Sequence, residues 1–208
     1  MQHWHRQEFT YNILIPKLEK DIYSLTEEEV EAYFRWYMKN VPERVAYVSE
    51  VCASELGITV EQLDCSPESL VLLWRWFLQR GKTEGVPQTG ANERQGDMSS
   101  FASRNQRQLS LETEYILRDI GMYFGETLRK HNPSLYWTYY SIPEDDIFQN
   151  HPLIKGFISK NKGRIVELPF EPIHMARIQG LKLLDNSATE TDLLKIYTLW
   201  TSEYIARE

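Results

Sequence analysis

Cysteine is scarce in this sequence, which contains only Cys52 and Cys65 among 208 residues. Two cysteines cannot build a disulfide framework for a chain of this length. Neither belongs to a CxxC pair or to a cysteine–histidine set with the spacing of a zinc site. We therefore expect a reducing, cytoplasmic location and no metal site. Cys52 falls on the apolar stripe of a predicted helix, which indicates a small core residue.

Long apolar runs are also missing, since no stretch approaches the ~20 apolar residues that a helix needs to cross a bilayer. The N-terminal MQHWHRQEF lacks the basic and apolar regions of a signal peptide. We expect no signal peptide and no membrane association.

Positive charge is in the minority, because 23 lysines and arginines face 30 aspartates and glutamates, for a net charge of −7. An acidic balance argues against a nucleic-acid binder, which needs a basic surface to offset phosphate charge. It is compatible with a basic protein partner, and equally with charge that only maintains solubility. The acidic residues Glu144, Asp145 and Asp146, in a predicted loop, are candidate contacts for such a partner.

Known catalytic motifs are absent. The chain has no GxGxxG and no GxSxG, and its serines and histidines show no nucleophile–base spacing. RGKT, which begins at Arg80, is similar to the end of a phosphate loop. However, Trp76 stands where that motif needs glycine, and the segment follows a helix instead of a strand. We therefore predict no catalytic residues, no metal ligands and no cofactor.

Amphipathic helices account for most of the chain. Thr26 and Glu29 form a capping box ahead of an apolar stripe at helical spacing. Pro42 stands where proline commonly begins a helix, and Gly57 where glycine commonly ends one. These signals and similar ones predict about six helices, over residues 26–41, 42–56, 67–80, 111–131, 172–184 and 188–208.

Three aromatic or β-branched segments in the C-terminal half, residues 134–142, 151–158 and 163–170, predict a small antiparallel sheet. The fold class that follows is α+β and mainly helical. We expect an N-terminal helical part over residues 1–80 and a C-terminal α+β part over 109–208, within one compact domain. The polar residues 81–108 between them are an insertion or a linker. Alternatively, this segment orders on a partner, with Phe101 as its anchor.

The stretch DIGMYFGETLRK contains two glycines inside a predicted helix, where each costs roughly 1 kcal/mol relative to alanine. Gly121 and Gly125 lie one turn apart and predict a groove into which Trp137 or a neighbouring strand residue packs. Asp119 and Glu126 frame this groove, about 10 Å apart along the axis, too far for both to bind one metal without further ligands. They are either helix-surface charges, with Glu126 paired to Arg129 or Lys130, or part of a binding site. The predicted pocket lies between helix 111–131 and the sheet and is lined by Tyr115, Asp119, Glu126, Trp137 and Tyr139.

Two regions of the sequence resemble an uncharacterised family of small bacterial cytosolic proteins. They are EAYFRWYMKNVPERVAYV with LDCSPESLVLLWRWF, and LRDIGMYFGETLRKHNPSLYWTYY with HPLIKGF. In that family an aromatic helix leads into a proline-started helix, and a helix with a Tyr-Phe-Gly-Glu-like segment leads into a Trp-bearing strand. Some proteins of similar organisation are found beside toxin systems as candidate immunity proteins. No activity is assigned to this family, so the resemblance assigns no catalytic residues to the chain.

The expected function is that of a non-enzymatic, cytoplasmic protein-interaction module, an inhibitor or immunity-type protein that binds a basic partner. The alternative is an enzyme or small-ligand-binding protein that uses the pocket described above. A structural role in an assembly is the third possibility.

Overall fold

A computed structural model of the protein describes residues 10–86, 107–139, 147–161 and 164–205. This part contains five α-helices and two small antiparallel sheets, which confirms the α+β class. The elements in chain order are α1 (Glu27–Leu56), α2 (Ser69–Arg80), β1 (Thr83–Gly85), β2 (Arg107–Leu109), α3 (Leu111–His131), β3 (Tyr136–Tyr139), β4 (Pro152–Asn161), β5 (Arg164–Phe170), α4 (Pro172–Gly180) and α5 (Asp192–Glu203).

Helix α1 is one continuous helix with Pro42 inside it, so the prediction that Pro42 begins a second helix was wrong. The Thr26 capping box and the left-handed Gly57 at the C-terminus are both present, as predicted. An interior proline removes one backbone hydrogen bond and strains the preceding turn. Here the buried stripe runs on through it, with Val41 and Val48 both in the core, and this packing holds the two halves as one helix.

The described ends of the polar segment between α2 and α3 contain two short strands. Strand β1 pairs antiparallel with β2, with Thr83 opposite Leu109, so the described ends of the predicted insertion form a short ribbon. This ribbon joins the end of α2 to the start of α3, where Ser110 is the N-cap and accepts a hydrogen bond from the Thr113 amide. Phe101, the proposed anchor of this segment, lies outside the described residues.

The larger sheet has the order β3-β4-β5 with both pairs antiparallel, which confirms the predicted three-stranded sheet. Helix α3 lies at the centre of the molecule, and residues on most of its length are buried. Aromatic side chains from the sheet and from α5 complete the core on one side, where Phe124, Phe157, Phe170 and Trp200 meet ring to ring.

The two glycines of α3 allow close approach of two different elements. A Cβ on Gly125 would overlap the ring of Trp137, which confirms the predicted contact with the sheet. A Cβ on Gly121 would lie 2.6 Å from the Cα of Ile173, in the backbone of α4. Gly121 therefore allows α3 and α4 to pack closely, whereas the sequence predicted that a residue of the strand would pack there.

Candidate functional site

Asp119 lies in a buried charge cluster. Its carboxylate accepts hydrogen bonds from Arg44 Nε at 3.1 Å and from the hydroxyl of Tyr11 at 2.7 Å. Asp119 and Arg44 are only 1% and 4% exposed. Burial raises the pKa of Asp119 above its usual value, and the bonds from Arg44 and Tyr11 act against that rise. Asp119 is therefore not a surface charge.

Glu126 and Trp137 form the second part of the predicted site. Glu126 Oε1 accepts from Trp137 Nε1 at 2.7 Å and from Arg129 Nε at 3.2 Å, so the predicted pairing with Arg129 is present. These bonds hold the indole ring against Gly125. Glu126 also lines a shallow groove of about 560 Å³ between α1 and α3, together with Arg129 and Lys130.

The other predicted residues lie elsewhere. The Arg118 guanidinium sits 5.0 Å from the centre of the Tyr115 ring, and Tyr139 packs on Phe34 at 5.3 Å between ring centres. The five residues that were expected to share one pocket are thus divided among separate contacts. The acidic residues Glu144, Asp145 and Asp146 lie outside the described part of the chain.

A larger cleft of about 870 Å³, here called the Arg118 cleft, opens where five parts of the chain meet. These parts are the segment before α1, α1 itself, α3, the start of β4 and the start of α4. Its apolar lining includes Pro16, Leu18, Ile22, Phe148, Pro152 and Ile173. Its polar lining includes Tyr33, Arg118, His151, Glu171, His174 and Arg177.

One wall of the cleft is the N-terminal strap, defined as residues 10–25, which has no regular helix or strand apart from a 3-10 turn at Ile22–Ser24. Three side chains from outside the strap donate hydrogen bonds to its backbone carbonyls. These bonds run from Arg44 to Asn12 at 2.6 Å, from Arg118 to Leu14 at 2.7 Å and from Asn150 to Ile22 at 2.8 Å. The buried Arg44–Asp119 pair therefore fixes the strap as well as the core.

Glu171 caps the N-terminus of α4 from inside the cleft wall. Its carboxyl accepts from the backbone N–H of Ile173 at 3.2 Å and from that of His174. The residue is 2% exposed, and burial raises its pKa to about 8, against the effect of these two hydrogen bonds. At neutral pH this carboxyl is mostly uncharged.

The two histidines of the cleft both have pKa values lowered from the ordinary value of 6.5. Burial lowers the pKa of His151, and the proximity of His174 lowers it further. Burial lowers the pKa of His174 as well, with the nearby Arg177 acting in the same direction. The Nε2 atom of His151 is buried and makes no hydrogen bond to any described residue.

The arginines keep their charge because guanidinium groups do not lose a proton in proteins. Arg177 Nε donates to both carboxylate oxygens of Glu114, at 3.1 and 2.9 Å. Glu114 lies one turn before Arg118 on α3, and Arg118 and Arg177 both line the cleft. Two cationic groups thus belong to the lining of a largely apolar cleft.

Within the described ranges, no cluster of three or more histidine, cysteine, aspartate or glutamate side chains has the arrangement of a metal site. No helix of the described part is long and apolar enough to cross a membrane. Both cysteines are free, and burial raises the pKa of Cys52 to about 12 and that of Cys65 to about 11, so neither thiol is activated.

No protein-family model, no curated protein and no solved structure matches this chain. The function must therefore be argued from its own geometry.

Within the described part of the chain, none of the site residues predicted from the sequence is among those that line this cleft. His174 packs edge-to-face on Phe148, 5.4 Å between ring centres. The signal that was available is Glu171 immediately before Pro172, because an acidic N-cap followed by proline marks a helix start. Nothing in the spacing indicates that this helix start faces Arg118.

Proposed function

We propose that this protein binds a small organic molecule with an apolar body in the Arg118 cleft. The observation that carries the proposal is the cleft itself, about 870 Å³ in volume and lined mostly by apolar and aromatic side chains with a few polar groups. Ligand pockets typically measure about 300–1,000 Å³ and have this composition. The proposal takes up the small-ligand alternative from the sequence, at a place other than the predicted pocket.

The size of the cleft favours a ligand of one or two fused rings over an extended polymer. Tyr33 and Phe148 supply aromatic surface, while Pro16 and Pro152 supply rigid apolar surface. Rigid walls of this kind lower the entropy that binding costs, because few side chains must be ordered.

The experiment uses the uncharged fluorescent probe N-phenyl-1-naphthylamine with a matched pair of variants. Ile147 lines the cleft and is 63% exposed, whereas Ile165 on β5 is 69% exposed and not among the residues that line it. Ile147→Trp is expected to weaken probe binding about tenfold by occupying the cleft mouth, which corresponds to roughly 1.4 kcal/mol. Ile165→Trp is expected to bind like the unmodified protein. Equal affinities for the two variants would refute the proposal.

A basic protein partner is the second candidate function, in the form of an inhibitor or immunity-type interaction. It is favoured by the solvent-facing side of α1, where several carboxylates lie along one long helix. These exposed residues are Glu27, Glu28, Glu31, Glu43 and Glu50. Affinity capture from native lysate at low salt tests this candidate. The candidate is supported only if a partner binds the unmodified protein and no longer binds when these five glutamates are changed to glutamine.

A further inference from the structure

We infer that the ligand of the Arg118 cleft is an organic anion whose charged group is bound between Arg118 and Arg177. This inference rests on the proposed function, since it assigns a chemical class to the ligand of that same cleft. It is argued from the placement of the charged groups around the cleft, and then from the donors that remain available there.

Among the described residues that line the cleft, the side chains with a fixed positive charge are Arg118 and Arg177, although the protein as a whole carries a net charge of −7. Glu171 is the carboxyl in the lining, and both its oxygens accept backbone N–H groups of α4. Carboxylates beside the lining include Glu114, which is paired with Arg177, Asp21 near His151, and Asp119 near Arg118, which is itself paired with Arg44. The hydroxyls of Tyr23 and Tyr33 add dipoles without net charge. An anion is therefore the ligand that complements the cleft.

Arg177 has donors to spare for such a ligand. Both of its hydrogen bonds to Glu114 come from Nε, which leaves the two terminal NH₂ groups outside that pair. The pair fixes the guanidinium in place while keeping donors for a second acceptor. A planar guanidinium with adjacent N–H groups binds carboxylate, sulfonate or phosphate oxygens in pairs.

Arg118 is held in a similar way. One Nη1 hydrogen bond goes to the carbonyl of Leu14 in the strap, and the guanidinium lies over the ring of Tyr115. A carbonyl and an aromatic ring orient a cation without neutralising its charge. The nearby Asp119 carboxylate is already paired with Arg44, so an anionic ligand would pair with the Arg118 charge, whereas an uncharged ligand would not.

The test compares two probes that share one scaffold, N-phenyl-1-naphthylamine and 8-anilinonaphthalene-1-sulfonate, which differ by a sulfonate. For each variant we take the ratio of the anionic probe's affinity to that of the uncharged probe. Arg177→Gln is expected to lower this ratio about tenfold or more, because it removes charge-assisted hydrogen bonds. Arg177→Lys is expected to lower the ratio by a smaller factor, since it retains the charge but not the paired N–H donors.

The matched control is Arg75→Gln. Arg75 forms an exposed pair with Glu190 outside the cleft, and its substitution is expected to leave the ratio unchanged. A ratio that Arg177→Gln does not lower, or that Arg177→Lys lowers as far as Arg177→Gln does, would overturn the anion assignment. The small-molecule proposal would still stand in that case if Ile147→Trp weakens the uncharged probe and Ile165→Trp does not. If those two variants bind alike, the proposed function itself fails.

Discussion

Asp119 shows how one residue can serve the core and the site together. Its partner Arg44 is buried with it and also donates to the Asn12 carbonyl of the N-terminal strap. A charge inside a protein is tolerated only when it is paired and hydrogen-bonded, and here the carboxylate receives bonds from both Arg44 and Tyr11. Removing one partner leaves the other charge buried without compensation.

The first residue-scale prediction is that Asp119→Ala lowers the free energy of unfolding by about 3–5 kcal/mol, because Arg44 then remains as an unpaired buried charge. Urea denaturation at neutral pH measures the loss. The control is Glu190→Ala, which breaks the exposed pair with Arg75 and should cost no more than about 1 kcal/mol. An Asp119→Ala variant as stable as the control would contradict this account.

Asp119 also marks the limit of prediction from sequence at this scale. Its helical position, off the main apolar stripe, was predicted correctly, but its partner could not be found. Arg44 lies 75 positions away in the chain, and a lone arginine between Val41 and Val48 has the same local signature whether it is solvated or buried. Only the packing of α1 on α3 decides which of the two occurs.

At the scale of elements, α3 and α4 pack through Gly121. The gap there is too small for a side chain, because an added Cβ would lie 2.6 Å from the Cα and 2.8 Å from the N of Ile173. These are backbone atoms at the start of α4, beside the capping residue Glu171. The close approach therefore places the N-terminus of α4, and the cleft wall with it, against the middle of α3.

The change in stability that this contact predicts for a substitution of Gly121 has a definite sign. Helix propensity alone would make Gly121→Ala stabilising by about 1 kcal/mol, whereas the clash with Ile173 makes it destabilising by about 1–3 kcal/mol. Gly121→Leu should prevent folding. Thermal unfolding of Gly121→Ala distinguishes stabilisation by helix propensity from destabilisation by the clash. A higher melting temperature for this variant would rule out the packing explanation.

The matched control for this substitution is Ser54→Ala. Ser54 lies at an exposed position of α1, where alanine raises the helix propensity and meets no packed backbone. Its melting temperature should therefore stay the same or rise slightly, in contrast to that of Gly121→Ala. A fall of equal size in both variants would show that the loss at Gly121 does not come from the contact with Ile173.

Element prediction from the sequence was accurate where the signals were local. The capping box at Thr26, the cap at Ser110 and the three C-terminal strands all lie where short-range patterns indicated. Pro42 was misassigned because proline in the first turn and proline inside a helix share the same backbone φ, and only burial on both sides distinguishes them. Strands β1 and β2 were missed because three-residue polar strands have no periodicity to detect.

At the scale of the whole molecule, the Arg118 cleft is assembled from segments that are far apart in the chain. The strap, α1, α3, the start of β4 and the start of α4 each contribute a few residues, and no segment carries a motif. The sequence could therefore predict a ligand-binding alternative and place it beside α3. It could not indicate which side of α3 the cleft occupies, since that depends on how the strap is anchored.

Glu171 links this cleft to the pH dependence of the whole protein. Its folded pKa of about 8 is above the ordinary value near 4.5, so the folded state holds a proton that the unfolded chain releases. Such a group contributes stability that is fully present below the unfolded pKa and is lost as pH rises through the folded pKa. The histidines act in the opposite sense, but only at lower pH, because their folded pKa values are lowered from 6.5.

The measurement is therefore confined to the range from about pH 7 to about pH 8, where unfolded glutamate and most unfolded histidine have lost their protons and unfolded thiols largely keep theirs. Across it, Glu171 should cost the protein about 1 kcal/mol of unfolding free energy. Glu171→Gln keeps a carbonyl to cap α4 and cannot ionise, so its stability should change much less. The control Glu167→Gln, on the exposed face of β5, should follow the unmodified protein. If Glu171→Gln lost as much stability over this range as the control, the buried carboxyl would be ionised already at neutral pH, and the positive balance of the cleft would be smaller by one charge.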